Sequence, residues 1–83
     1  MGEELVGRIT HYYARIEVAA VLLSAPLKVG ERVWIAGRTT DLEQEVASLE
    51  LDHQAIAEAL PGQEVGLKVV ERVREGDRVY RMS

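Results

Sequence analysis

Residues 39–51 read TTDLEQEVASLEL, and their polar and apolar side chains alternate with a period of two. Leu42, Gln44 and Val46 fall on one face, and acidic residues dominate the other. This period is that of a β-strand, in which successive side chains point to opposite sides. The alternation slips between Val46 and Leu49, and a β-bulge at that point would keep the leucines on both sides of it pointing inward.

The same period recurs along most of the chain. Strands are predicted at 5–13, 16–23, 32–36, 64–71 and 78–82, with turns near Pro26 and Gly30 and at 74–77. Residues 53–60 (HQAIAEAL) are too few for a stable helix and are predicted as a loop or a short helical turn, ended by Pro61. The pattern predicts an all-β fold, a small closed antiparallel barrel of six to seven strands, since closure leaves no unpaired edge.

Composition narrows the class of protein further. The 83 residues suffice for one domain, 1–83, and 47% of them are hydrophobic. There is no cysteine, and no apolar run approaches the roughly 20 residues of a membrane span. The acidic N-terminus lacks the layout of a secretory signal, so a cytoplasmic protein without membrane partners is predicted. Arginines outnumber lysines eight to two, a bias also found in thermophiles.

Three segments, in order, carry a resemblance to a known family. They are 27–37 (LKVGERVWIAG), 45–52 (EVASLELD) and 59–67 (ALPGQEVGL). Together they resemble the second domain of translational GTPases such as elongation factor Tu and initiation factor two, over almost the whole chain. The resemblance implies a β-barrel that binds RNA or the ribosome. Independently, Gly30 and Gly62 are expected in turns with positive φ. Six residues are expected to fill the interior: Val33, Ile35, Val46, Leu49, Val65 and Leu67.

Departures from that family limit what the resemblance implies. No Gly-x-x-x-x-Gly-Lys-Ser/Thr motif is present, so no nucleotide or other cofactor is expected. In members that bind aminoacyl-tRNA, Glu50 matches a glutamate of the pocket for the charged 3′ end. Asp52 and Glu64 stand where those members have histidine and asparagine, so acceptor-end binding is not carried over. A similar barrel is also attached to some collagenase-type peptidases as a non-catalytic appendage.

Residues with catalytic or metal-binding chemistry form no recognisable motif. His11 and His53 are the only histidines, and no ligand spacing surrounds them, so no metal is expected. The serines lie outside any nucleophile motif, and the acidic residues of 39–51 are expected to form a solvated strand face. The sequence therefore predicts a protein that is not an enzyme.

Two clusters are candidates for binding. Tyr12, Tyr13 and Arg15 could offer a stacking platform to a base or a protein, although one tyrosine could instead fill the core while the other caps an end. Arginines are concentrated in the last third of the chain, but acidic residues interleave with them, so cross-strand salt bridges are the alternative to a basic patch. The candidate binding residues are Tyr12, Tyr13, Arg15, Glu50, Arg72, Arg74 and Arg78.

The net charge affects which class of partner is expected. The formal charge is −4 and the isoelectric point about 5.1, which repels nucleic acid unless positive charges cluster. The first expectation is a non-catalytic module that binds RNA or the ribosome. The alternative is a protein–protein adaptor acting beside a separately encoded enzyme such as a peptidase.

Overall fold

The computed structural model describes residues 2–83, and these form ten β-strands and no helix. The predicted all-β class is confirmed. The strands are β1 (Glu3–Tyr13), β2 (Val18–Leu23), β3 (Leu27–Lys28), β4 (Arg32–Ala36), β5 (Asp41–Glu45), β6 (Leu49–Leu51), β7 (Gln54–Ile56), β8 (Glu58–Ala59), β9 (Glu64–Lys68) and β10 (Arg78–Met82).

Eight of the strands form one sheet in the order β5-β4-β10-β1-β2-β9-β6-β7, and β3 pairs with β8 in a second, two-stranded sheet. All pairings are antiparallel. Within residues 2–83 the edge strands β5 and β7 do not pair with each other. The predicted closed barrel of six to seven strands is therefore not confirmed, because the large sheet keeps two edges.

The stretch 39–51 is two strands and not one bulged strand. β5 is at one edge of the large sheet and β6 is next to the other edge, yet only residues 46–48 separate them. Four residue steps span at most about 14 Å, so the sheet must curl until its two ends approach each other. Val46 stays paired during this crossing, since its N–H donates to the Glu31 carbonyl (2.8 Å) and its carbonyl accepts from Gly30 N–H (2.9 Å).

Two bulges interrupt β1, the longest strand. The register shifts at Val6 in the pairing with β10 and at Thr10 in the pairing with β2. Each extra residue reverses the alternation of faces. Val6 and Ile9 are consequently both fully buried, and Tyr12 packs against the same core, although the three residues are spaced by three and not by two.

Glycine is placed where backbone geometry requires it. Gly30 and Gly62 have φ of 97° and 88°, which confirms the turn prediction. Gly7 lies beside the first bulge of β1. A Cβ added there would be 2.6 Å from the carbonyl oxygen of Leu22, so β1 and β2 approach more closely than any other residue permits.

The core is entirely aliphatic. All six residues expected to fill the interior are buried. Among residues 2–83, 18 hydrophobic residues are buried: Val6, Ile9, Ala19, Val21, Leu23, Ala25, Leu27, Val33, Ile35, Leu42, Val46, Leu49, Ala59, Val65, Leu67, Val69, Val73 and Val79. Because every strand contributes residues to this cluster or packs against it, the curled sheet encloses one continuous core.

The prediction of a loop or helical turn at 53–60 is wrong. Asp52 and His53 both have positive φ (53° and 65°) and form the two-residue turn of a hairpin between β6 and β7. Two successive residues of this conformation match the right-handed twist of the flanking strands. Residues 58–59 then form β8. The strand predicted at 64–71 ends at Lys68, and the one predicted at 16–23 begins at Val18.

Candidate functional site

Tyr12 and Arg72 meet at one end of the fold. The half-buried Tyr12 ring packs against the aliphatic core at the end of β1. The guanidinium carbon of Arg72 lies 5.9 Å from the centre of that ring, which is a cation–π distance. Arg72 belongs to the irregular segment after β9, and the buried Val73 fixes this segment against the core. Tertiary structure thus joins two candidates that are 60 residues apart.

Tyr13 points to the opposite face of β1. Its ring is 49% exposed and lies edge-on to His11, with ring centres 4.4 Å apart and planes at 61°. His11 Nδ1 is 3.2 Å from a carboxylate oxygen of Glu75. Tyr12 therefore fills the end of the core, whereas Tyr13 presents its surface to solvent.

Arg15 lies in the turn between β1 and β2, beside the exposed side chain of Ile16. Residues 11–16 line one shallow groove at this end of the molecule. Lys68 supports the turn, since its Nζ donates to the Ile16 carbonyl at 3.0 Å. The turn also holds Glu17 at a φ of 57°, a conformation that a side chain seldom adopts.

Arg72 and Arg74 are exposed on both sides of the buried Val73, so they point outward together from the loop between β9 and β10. Arg74 Nε donates to Thr39 Oγ1 at 2.9 Å. Neither arginine meets a carboxylate among residues 2–83. Asp77 instead accepts from the backbone N–H of Arg74 at 2.9 Å.

Glu50 and Arg78 do not line the grooves beside Tyr12. Glu50 is on the outer face of β6, opposite Gly66 of β9, and two strands separate β6 from β1. Arg78 begins β10 and lies opposite Arg8 of β1. The structure thus groups Tyr12, Arg72 and Arg74 around one groove, with Tyr13 and Arg15 beside it, and separates the other two candidates from them.

The surroundings of Arg78 could not be predicted from strict alternation along the strands. Arg78 and Arg8 border a groove of about 280 Å³, together with Leu5, Leu22 and Leu23. Strict alternation would place Leu5 and Arg8 on opposite faces, and the bulge at Val6 brings them to the same one. In the sequence, the glycine at position 7 is the feature that could have indicated this bulge.

Arg81 has a structural role. Its guanidinium donates to Glu4 at 2.6 Å, to Glu31 at 3.3 Å and to the carbonyl of Pro26. The hydrogen bond that Arg81 donates to Glu4, helped by the charge of Glu31, raises the pKa of Arg81 above its ordinary value even though partial burial opposes this. Arg81 therefore joins β1, β10 and the turn before β4.

Two further features bear on possible sites. Among residues 2–83 no group of three or more histidine and carboxylate side chains is arranged to hold a metal ion. The same residues contain no helix of the length and apolarity needed to cross a membrane.

Sequence comparison finds relatives named as peptidases. The chain is 40% identical over 79 residues to an uncharacterised protease of Methanocaldococcus jannaschii, covering 94% of this chain and 19% of that protein. It is 33% identical over 80 residues to a collagenase of Porphyromonas gingivalis, covering 94% of this chain and 22% of the collagenase. The chain thus spans about a fifth of the length of these curated relatives. No family model matches it.

Structural comparison agrees on the fold. The C-terminal domain of a Geobacillus thermoleovorans protein assigned to the U32 peptidases superposes with a TM-score of 0.89 at 18% identity, covering 96% of this chain and 93% of that one. Its selenomethionine variant gives a TM-score of 0.87 at 21% identity, with 95% and 99% covered.

The expected relationship to translation-factor barrels is wrong. The sequence relatives are a protease and collagenases, and the superposed structures are domains of a peptidase-family protein. The three motifs that suggested translation factors consist of turn glycines and alternating buried residues, such as Gly30, Gly62 and Val65. Antiparallel sheets require such residues generally, so these motifs indicate a type of fold and not a family.

Proposed function

We propose that this chain is a single non-catalytic binding module, residues 1–83, that accompanies a peptidase-type protein and contacts a protein partner. The main support for the proposal is that the match covers nearly all of this chain but only about a fifth of each relative. The relatives named as a protease and collagenases contain this unit within proteins about five times as long. The superposed C-terminal domain has nearly the same extent, which supports a unit that folds by itself.

The candidate contact surface is the end of the fold that bears Tyr13, Arg15, Ile16, Arg72 and Arg74. Exposed aromatic, arginine and aliphatic side chains are the composition typical of protein-binding anchors. Tyr12 would serve as a support, because it packs against the core beneath Arg72. A net charge of −4 favours a protein over RNA, since phosphate binding depends on an excess of positive charge.

The proposal is tested by affinity capture with the tagged chain from a lysate of its source organism, with and without nuclease. We expect a peptidase-type protein to remain bound after nuclease treatment and in raised salt, identified by mass spectrometry. Recovery of RNA or ribosomal proteins that disappear with nuclease would contradict the proposal, as would recovery of no peptidase-type protein.

The contact surface is tested in the same experiment by the double variant Arg72→Glu/Arg74→Glu. The matched control is Arg32→Glu/Arg38→Glu, which changes the net charge equally at exposed positions of another region. We expect the first variant to lose the captured protein and the control to retain it. Equal capture by both variants would show that this end of the fold is not the contact surface.

A further inference from the structure

Two arginines lie directly opposite each other on neighbouring strands of the sheet. Arg8 of β1 and Arg78 of β10 are register partners, so their side chains emerge on the same outer face. Such Cβ atoms are about 4.5–5.5 Å apart, and like charges in this position destabilise a sheet. Both residues are exposed, and neither has an ion-pair partner among residues 2–83, although the chain has 14 acidic residues.

Apolar side chains surround this pair. The bulge at Val6 places Leu5 on the same face as Arg8, and Leu5 is 49% exposed. On the other side of Arg8, Leu22 of β2 is its register partner and is half-buried. The groove between these leucines and the two arginines has a volume of about 280 Å³.

An aromatic pair extends the apolar surface toward β4. Tyr80 is the register partner of Leu5 on one side and of Trp34 on the other. The rings of Trp34 and Tyr80 are stacked with centres 5.2 Å apart and planes at 29°. Trp34 Nε1 donates to Asp41 Oδ1 at 2.8 Å, which fixes the orientation of the indole. The surface is thus organised before any partner binds.

We propose that these six residues, Leu5, Arg8, Leu22, Trp34, Arg78 and Tyr80, form a docking surface, the arginine–aromatic face, for a protein segment that carries an aspartate or glutamate between apolar side chains. The inference goes beyond the proposed function, since it names a second surface and the chemistry of the segment that binds there.

Charge complementarity identifies the occupant. A carboxylate placed between Arg8 and Arg78 can accept charge-assisted hydrogen bonds from both and remove their mutual repulsion. The stacked rings and leucines beside them suit apolar side chains, and tryptophan, tyrosine and arginine dominate binding hot spots. A nucleic acid fits this surface poorly, because Asp41 and Glu43 lie on the outer face of β5 at its border and repel phosphates.

The test is selection of short random peptides displayed on phage against the intact chain. We expect enriched peptides to contain an acidic residue flanked by apolar ones. Their affinity should fall about tenfold or more in Arg8→Ser and in Arg78→Ser, as expected for loss of a charge-assisted hydrogen bond. Arg38→Ser, which removes the same charge at an exposed position outside both proposed surfaces, is the matched control and should leave the affinity unchanged.

Thermal unfolding separates a binding role from a structural one. Because each serine variant removes one member of a repelling pair, we expect its melting temperature to equal or exceed that of the wild type. Enrichment of basic peptides, absence of enrichment, or full binding by the Arg8→Ser/Arg78→Ser double variant would overturn the inference.

The two proposals can fail separately. If the captured peptidase-type protein binds the double serine variant as tightly as the wild type and no acidic peptide is enriched, the proposed function stands and the inference fails. If acidic peptides bind through Arg8 and Arg78 but lysate capture yields no peptidase-type protein, the inference stands and the proposed function fails.

Discussion

The side chain of Gln44 is hydrogen-bonded to the backbone of Lys68 and of Val70, on both sides of Val69, at the point where the two ends of the curled sheet approach. Its Nε2 donates to the Lys68 carbonyl at 2.8 Å, and its Oε1 accepts from the Val70 N–H at 3.0 Å. Gln44 is buried on edge strand β5, whereas Lys68 ends β9. One side-chain amide thus substitutes for the backbone pairing that a closed sheet would have there.

We expect Gln44→Leu to lower the free energy of unfolding by about 2–3 kcal/mol, since it leaves the Lys68 carbonyl and the Val70 N–H without partners in a partly buried place. Denaturation in urea measures the loss. The control is Gln54→Leu, a change at an exposed residue of β7, expected to stay within about 0.5 kcal/mol. Similar losses in both variants would show that the Gln44 bonds do not hold the sheet ends together.

Gly7→Ala is expected to lower the free energy of unfolding by about 1–3 kcal/mol, because the new methyl group would meet the Leu22 carbonyl oxygen at 2.6 Å and force the strands apart. Gly66→Ala is the comparison variant, at a glycine that is less tightly packed. Its Cβ would lie 3.2 Å from Cγ1 of Val18, a side-chain atom that can shift slightly. Urea denaturation should rank Gly7→Ala as the more damaging change, and the reverse order would contradict the close approach of β1 and β2.

Substitutions by asparagine and glycine in the turn between β6 and β7 are expected to increase the free energy of unfolding. Asp52 and His53 adopt positive φ, which asparagine and glycine tolerate better. We expect Asp52→Asn/His53→Gly to raise the free energy of unfolding by about 0.5–1 kcal/mol, and His53→Val to lower it by at least as much. Melting temperatures of the two variants give the signs. A lower melting temperature for the Asn-Gly variant would be inconsistent with this hairpin turn.

Arg81→Met should lower the free energy of unfolding by about 1–2 kcal/mol, because the Glu4 and Glu31 carboxylates and the Pro26 carbonyl lose their common donor. The pKa of Arg81 is raised, so its contribution is complete below the ordinary arginine pKa and is lost only above the raised value. The difference between wild type and variant should therefore be constant from neutral to mildly alkaline pH.

Arg32→Met is the matched control for Arg81→Met. Arg32 pairs with Glu43 at 2.9 Å, but both side chains are about half exposed, so solvent screens the pair. We expect its free energy of unfolding to change by no more than about 0.5 kcal/mol, measured in urea across the same pH range. An equal loss in the two variants would mean that burial of the Arg81 ion pairs adds nothing to the free energy of unfolding.

The adjacent tyrosines should respond differently to truncation. Tyr12→Ala removes a ring that packs on the core and carries Arg72, and should cost about 2–4 kcal/mol. Tyr13→Ala removes a ring that is 49% exposed and should change the free energy of unfolding by less than about 1 kcal/mol. Thermal unfolding distinguishes them. If Tyr13→Ala kept full stability, it would also be a clean variant for the capture experiment.

Most of the core could be predicted from the sequence, but the candidate site could be predicted only in part. Val33, Ile35, Val65 and Leu67 are buried as expected, because alternation within one short strand needs no knowledge of its neighbours. The contact of Arg72 with Tyr12 depends on the path of an irregular loop between distant segments, which local pattern does not define.

The predictions from sequence were wrong where a few residues reverse the direction of the chain or shift the alternation of its side chains between the two faces. The hairpin at Asp52 and His53 was missed, because neither residue is the glycine that usually marks such a turn. The bulge at Val6 changed which side chains share a face with Arg8, so the arginine–aromatic face was not foreseen. The resemblance to translation factors was misleading for a related reason. Its motifs consist of residues that turns and strands generally require, so they do not indicate common ancestry.

The sequence by itself determined an all-β chain with an aliphatic core and glycines at 30 and 62, because steric preference and alternate burial act over only a few residues. Tertiary structure alone decided that the sheet curls without closing, that Gln44 joins its ends, and that Arg8 lies opposite Arg78. These relationships depend on register between strands far apart in the chain. A single unpaired residue changes that register and turns side chains from one face to the other.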